Sequence, residues 1–240
     1  MNERPEGERL VSFEIQRQPN DETCGATCLS AIYRYFEAEV PVETLIEQIP
    51  TLEDGGTLGV LLATDALKRG YDATLLTWNL RLFDPTWFGL PAGDLQDKLR
   101  ARAAAKQNAK LGFAAQAYID FLDQGGKIEM RDLTPGLLLG FLRRRLPILT
   151  GLSATFLYRD PRERPADDTP DDIAGDPVGH FTVLTGYTPS SRELLVSDPL
   201  HPNPLSVKHT YPVDIDRLVG AIYLGVLTYD ANLVVIEPRG

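Results

Sequence analysis

The sequence predicts an α+β fold, and three observations carry that reading. Helix-type apolar spacing dominates the chain up to about residue 145, six strand-type runs fill the rest, and no regular strand–helix–strand alternation appears. The 240 residues are 43% apolar and 24% charged, ordinary values for a globular protein. A chain of this length can bury roughly 70–75% of its unfolded surface, so residues 1–240 are expected to form a single domain without staples.

The elements follow in order. CGATCLSAIYRYFEA (24–38) reads as a helix with Cys28, Ile32 and Tyr35/Phe36 on its apolar face, and Thr23 as its cap. Pro41 opens a short helix over 42–49. Gly55-Gly56 breaks the chain. Thr57 is placed to cap the next helix, which Gly70 ends. YDATLLTW (71–78) has the composition of a strand. Residues 80–132 hold Phe83, Trp87 and Phe88, then an Ala-, Lys-, Arg- and Gln-rich stretch, and read as an inserted helical subdomain. A helix is expected at 136–145. Strands are expected at 147–158, 180–187, 193–199, 206–211, 221–229 and 233–238. Between the first two strands, residues 159–177 carry three Arg, seven acidic residues and four Pro, the composition of a mobile acidic surface loop.

Charge excludes whole classes of function. Lys plus Arg is 24 and Asp plus Glu is 34, a net −10. That balance opposes binding to nucleic acid, where Lys and Arg must meet phosphates, and opposes adhesion to an anionic membrane. No apolar run nears the roughly 20 residues of a membrane helix, and the first residues lack the apolar core of a secretory signal. A cytoplasmic, soluble protein is the expectation. No metal or cofactor is expected, since Cys24 and Cys28 are the only thiols and no histidine lies near them in sequence.

The sharpest local signal is QPNDETCGATCL (18–29). Cys24 stands where a loop enters a helix, and a helix N-terminus favours negative charge and hence a thiolate. Gly25 permits close backbone approach there. The Gln18 amide and the Cys24 backbone N–H would supply two donors for an oxyanion. A thiol enzyme also needs an imidazole and a group to orient it. Of three histidines, His180 opens the strand HFTVLTGY, and Asp198 closes the next strand, ELLVSDP. Pairing these strands as a hairpin sets His180 beside Asp198. His201 and His209 read as surface or packing residues, and Cys28 as a buried small hydrophobe.

These residues resemble the bacteriocin-leader-processing cysteine peptidases, cysteine peptidase family 39. The resemblance rests on the Gln18–Cys24 spacing, DETCGATCL, GHFTVL and the SDP strand end. It extends through GGTLGVLLATDALKRGYDATLLT (55–77) and LLLGFLRRRLPILTGL (137–152). It implies a papain-like fold whose N-terminal helical half carries the nucleophile Cys24 and whose C-terminal antiparallel sheet carries His180 and Asp198. It also implies Gln18 as oxyanion donor and a peptide or amide-containing small substrate. Many relatives are domains of ABC exporters, whereas this sequence shows no transporter. The 80–132 block and the 159–177 loop have no family counterpart. The block offers a surface to a protein partner, and the loop ends directly at His180. Two other readings remain open at this level: an acyltransferase or peptide ligase on the same triad, and a non-catalytic peptide-binding module.

Overall fold

The structure is a computed structural model that describes residues 8–9, 13–52, 55–188 and 190–239. Its eight strands, β1 to β8 in chain order, form one sheet in the order β3-β2-β8-β4-β5-β6-β7, and β1 adds to β5. In chain order they are β1 (Glu8–Arg9), β2 (Tyr71–Thr77), β3 (Lys127–Glu129), β4 (Ile148–Ser153), β5 (Gly179–Thr188), β6 (Glu193–Ser197), β7 (Thr210–Asp214) and β8 (Asn232–Pro238). All pairings are antiparallel except β2 with β3. The expected α+β class is therefore the observed one.

The helical half precedes most of the sheet. α1 (Cys24–Tyr35), α2 (Val42–Gln48) and α3 (Gly59–Lys68) come first, and α1 packs on β5 while α3 packs on β2 and β8. Both contacts are apolar: Leu29, Ile32, Val60 and Leu62 are fully buried. Each such side chain withdrawn from water contributes about 1.5–3 kcal/mol. Tyr33 and Arg69 close on Asp65 between α1 and α3, with the Tyr33 hydroxyl donating to it at 2.7 Å.

The 80–132 block contains α4 (Ala92–Lys106) and α5 (Ala109–Asp123). α5 packs on α3, and β3 at the end of the block joins the sheet edge. Leu82, Leu99 and Phe121 of the block are fully buried in the same apolar core as α1 and the sheet. Asn108 caps α5 by accepting from Leu111 N at 2.9 Å. The 159–177 loop is tied to itself by bridges from Glu163 to Pro170 and Asp176, and by an Arg164–Asp171 ion pair. α6 (Pro135–Arg143), between the block and β4, has Thr134 as its cap.

Several expected elements differ. Residues 221–229 are not a strand: α8 (Ile215–Leu224) and a 3₁₀ turn over 225–228 occupy them. Asp214 starts that helix by accepting from Asp216 N and Arg217 N, and Ile215, Leu218, Ala221 and Ile222 bury one face at helical spacing. The 147–158 run breaks after Ser153. Its hydroxyl accepts from Phe156 N and opens α7 (Ala154–Tyr158). The strand expected at 206–211 lies at 210–214 instead, because Asn203 accepts from Leu205 N and Ser206 N and holds that stretch in turns. Thr57 does not cap α3, since its hydroxyl donates to Pro50 O. Thr23 holds the N-cap position of α1 but makes no side-chain cap bond, since its hydroxyl donates to Asn20 O and accepts from Asn20 N. Among the described residues, no helix is long and apolar enough to cross a membrane.

If Asp214 is what starts α8, Asp214→Ala destabilises the protein by about 1 kcal/mol. Urea unfolding measures this, and an unchanged midpoint would contradict the cap.

Candidate active site

Cys24 is the first residue of α1 and is 7% exposed. Gly25 lets this end of the helix reach its seat. A Cβ on Gly25 would lie 2.9 Å from Thr57 Cγ2 and 3.0 Å from Leu62 Cδ1, closer than packing allows. Cys28, one turn on, is fully buried, and its thiol donates to Phe181 O at 3.3 Å. Burial, then its proximity to Cys24 and Asp198, pushes the Cys28 thiol well above its usual range. The two cysteines are therefore distinct: one at a helix mouth, one sealed in the core.

Strand register sets the partner groups. Val183 pairs with Ser197, so the next residue, Asp198, falls opposite Thr182. It then lies diagonal to His180 on the same face of the sheet. The expected pair is present: His180 Nε2 lies 2.9 Å from Asp198 Oδ1. Asp198 takes Nε2, which leaves Nδ1 as the ring nitrogen available to Cys24, a residue of the same cleft.

Asp198 is wholly buried and accepts four hydrogen bonds. Oδ1 takes His180 Nε2–H and Leu200 N–H, each at 2.9 Å. Oδ2 takes the hydroxyls of Tyr158, at 2.7 Å, and Tyr211. An ionised carboxylate only accepts, so every partner must donate, and His180 must carry its proton on Nε2. Its backbone is fixed as well. Asp198 N donates to His209 O at 2.8 Å, and His209 Nδ1–H donates to Asp198 O at 2.9 Å. His209 in turn stacks on His201 with ring centres 4.2 Å apart.

Electrostatics follow from this packing. Burial alone would favour neutral His180, but the Asp198 charge and the bonds from Asp198 and Cys24 raise it from 6.5 to about 10. Burial would likewise raise Asp198, but the His180 charge and the donors His180, Tyr158 and Tyr211 hold it below the usual carboxylate range. Burial and the Asp198 charge push both tyrosines upward, which keeps them protonated donors.

Gln18 completes the expected set. It is 7% exposed, its backbone N–H donates to Pro199 O at 2.9 Å, and its Oε1 has no partner. The loop before Cys24 is thus pinned to the residue after Asp198. Gln18, Cys24 and His180 line one cleft of about 480 Å³, walled on one side by Asp160, Glu163 and Asp168 of the acidic loop. Of the four residues expected at the site, Gln18, Cys24 and His180 line this cleft, and Asp198 lies buried against the His180 ring. Tyr158, Tyr211 and His209 were not expected there. No short motif marks them, since each touches Asp198 from an element with its own packing role. Among the described residues, no three His, Cys, Asp or Glu side chains converge as metal ligands.

Residues 12–82 match the Peptidase C39 family. The match agrees with the resemblance carried by DETCGATCL and supports a cysteine peptidase. It contains Gln18 and Cys24 of the C39 segment, while the fold itself brings in His180 and Asp198. None of the curated proteins matches the chain. Among solved structures, the chain is similar to the peptidase domain of Streptococcus ComA, a bi-functional ABC transporter involved in a quorum-sensing pathway. Identity is 14%, covering 95% of this chain and 99% of that one, with a TM-score of 0.44. Xylellain, a cysteine protease from Xylella fastidiosa, is 16% identical over 98% of this chain and 87% of its own, with a TM-score of 0.45.

The pair carries a pH signature. A histidine raised from 6.5 to about 10 adds stability that is fully present below about pH 6.5 and is lost as pH climbs toward 10. A carboxylate held low adds stability that is lost as pH falls through its folded value. In NMR titration, the His180 ring therefore stays charged at neutral pH, and Asp198→Asn lowers its midpoint below about 6.5. A His180 midpoint near 6.5 in the unsubstituted protein would contradict the coupling.

Proposed function

We propose that this chain is a thiol hydrolase of peptide or amide bonds, with Cys24 as nucleophile, His180 as proton carrier, Asp198 as orienting acid and Gln18 as oxyanion donor. The observation that supports it most is convergence. The first residue of α1, the His180–Asp198 pair and the Gln18 amide meet in one cleft although they come from three separate parts of the chain. The family match over the Cys24 segment supports the same chemistry.

The steps follow from the geometry. His180 Nδ1 takes the Cys24 proton as the reaction begins, since the charged imidazole is favoured beside Asp198. Sγ attacks the scissile carbonyl carbon, and the oxyanion that forms takes hydrogen bonds from the Gln18 amide and the Cys24 backbone N–H. His180 Nδ1 then gives its proton to the leaving amine as the C–N bond breaks, which leaves a thioester on Cys24. His180, now neutral at Nδ1, takes a proton from water. The hydroxide adds to the thioester, and the thiolate departs. Throughout, Asp198 holds the ring by Nε2–H and remains ionised, because Tyr158, Tyr211 and Leu200 satisfy its other lone pairs.

A proteome-derived peptide library, digested in ¹⁸O-water and read by mass spectrometry, tests the reading. The unsubstituted chain yields products with ¹⁸O at the new carboxyl end, and Cys24→Ala yields none. Asp198→Asn lowers kcat by about 10²–10⁴. Gln18→Ala lowers it by about 10²–10³, the loss of one oxyanion donor. Cleavage that persists in Cys24→Ala would overturn the proposal, and products without ¹⁸O would point to transfer in place of hydrolysis.

A further inference from the structure

Asp230 is a cleft residue that the proposed reaction does not use. It lines the cleft with Cys24 and His180, yet is only 6% exposed. Its Oδ1 is buried without a partner, and its Oδ2 receives only a long bond, 3.3 Å, from Thr228. A buried carboxyl left so poorly satisfied is costly, and such groups call for an explanation. Its position is held by its backbone N–H, which donates to Gly225 O at 2.8 Å.

Two strands make room for it. A Cβ on Gly179, the residue before His180, would lie 2.8 Å from Asp230 Oδ2 and 2.7 Å from Thr228 Oγ1. A Cβ on Gly151 would lie 2.7 Å from Asp230 Cβ. The carboxyl thus packs against the backbone that carries His180. Burial raises it to about 8, against the opposing effects of Thr228, Lys110 and His180. Burial of this kind leaves a carboxyl that gains most from an incoming positive charge. The rest of the cleft points the same way. Asp21, Glu22, Asp160, Glu163 and Asp168 also line it, with Lys110 as the one lysine among the described lining residues. Burial first, then the nearby acids Asp168, Asp21 and Asp160, raises Glu163. A concave wall with acidic side chains in excess focuses a negative field on whatever enters.

We propose that Asp230 forms a subsite for a cationic group, an ammonium or guanidinium that the substrate carries next to the bond that Cys24 attacks. This rests on the thiol-hydrolase reading and adds the class of substrate to it. The cation completes the hydrogen bonding of Asp230, while the acidic rim draws it into the cleft.

Paired methanethiosulfonates on the full chain test it. The Cys24 sulfur attacks the reagent's sulfenyl sulfur, a mixed disulfide forms, and methanesulfinate leaves. The readout is the rate at Cys24, located by peptide mapping, for the cationic aminoethyl reagent relative to the neutral methyl reagent. That ratio cancels changes in the thiol itself. It falls about tenfold or more in Asp230→Asn, as expected for a lost charged hydrogen bond, and much less in Glu163→Gln. As an arm that needs no variant, Nα-acetyl-arginine amide slows neutral labelling of Cys24 at concentrations where Nα-acetyl-citrulline amide, which carries no positive charge, does not. An unchanged ratio in Asp230→Asn, an equal fall in Glu163→Gln, or equal protection by the two amides would overturn the subsite. Failure of the underlying reading shows separately, as a neutral-reagent rate that is the same in His180→Ala.

Discussion

The Asp198 carboxylate is the constraint on which the site depends. It is buried with no exposure to water, a placement that costs several kcal/mol for an ion unless its lone pairs are filled. Here His180, Leu200, Tyr158 and Tyr211 fill them. Each donor comes from a different element: β5, the turn after β6, α7 and β7. To satisfy one carboxylate the chain must therefore bring four elements to one point. His180 is left with a single orientation, with Nε2 held by Asp198 and Nδ1 left for the cleft. The next residue, Pro199, accepts from Gln18 N, so the same anchor also places the loop that leads to the cysteine.

Much of this was legible in the sequence because the chemistry sits in contiguous blocks. DETCGATCL places a thiol at a helix start, and period-2 strands on either side of a short turn bring His180 and Asp198 together through register alone. Tyr158, Tyr211 and His209 were not legible. Tyrosine is common in strands and helices, and nothing within a few residues says that its hydroxyl will meet Asp198. Tyr158 was further hidden by the break at Ser153, where one serine turns an apparent long strand into a strand and a helix. The misreading of 221–229 has a related cause. That window opens after Gly220, in the second half of α8, so it misses both the Asp214 cap and the first turn that set the helical period. Asp230 belongs to no motif, and its meaning depends on Gly179 and Gly151 from other strands.

The acidic loop and the helical block take on physical sense around the cleft. The loop contributes Asp160, Glu163 and Asp168 to its wall, and the block contributes Lys110. The large negative charge read from the composition is thus partly concentrated where a substrate would enter. The block is bound into the same core as the rest through Leu99 and Phe121, so the cleft wall it supplies stands on packed helices.

The proposed reaction requires Cys24 and His180 to act as one assembled unit held by Asp198. Alkylation of Cys24 by iodoacetamide from about pH 4 to about pH 9, mapped by peptide and compared with His180→Ala, tests it most directly. Fast labelling of Cys24 well below pH 8, none of Cys28, and a profile that moves to higher pH in His180→Ala are the expected results. Labelling of Cys24 that follows an ordinary free thiol, whatever stands at position 180, would contradict it.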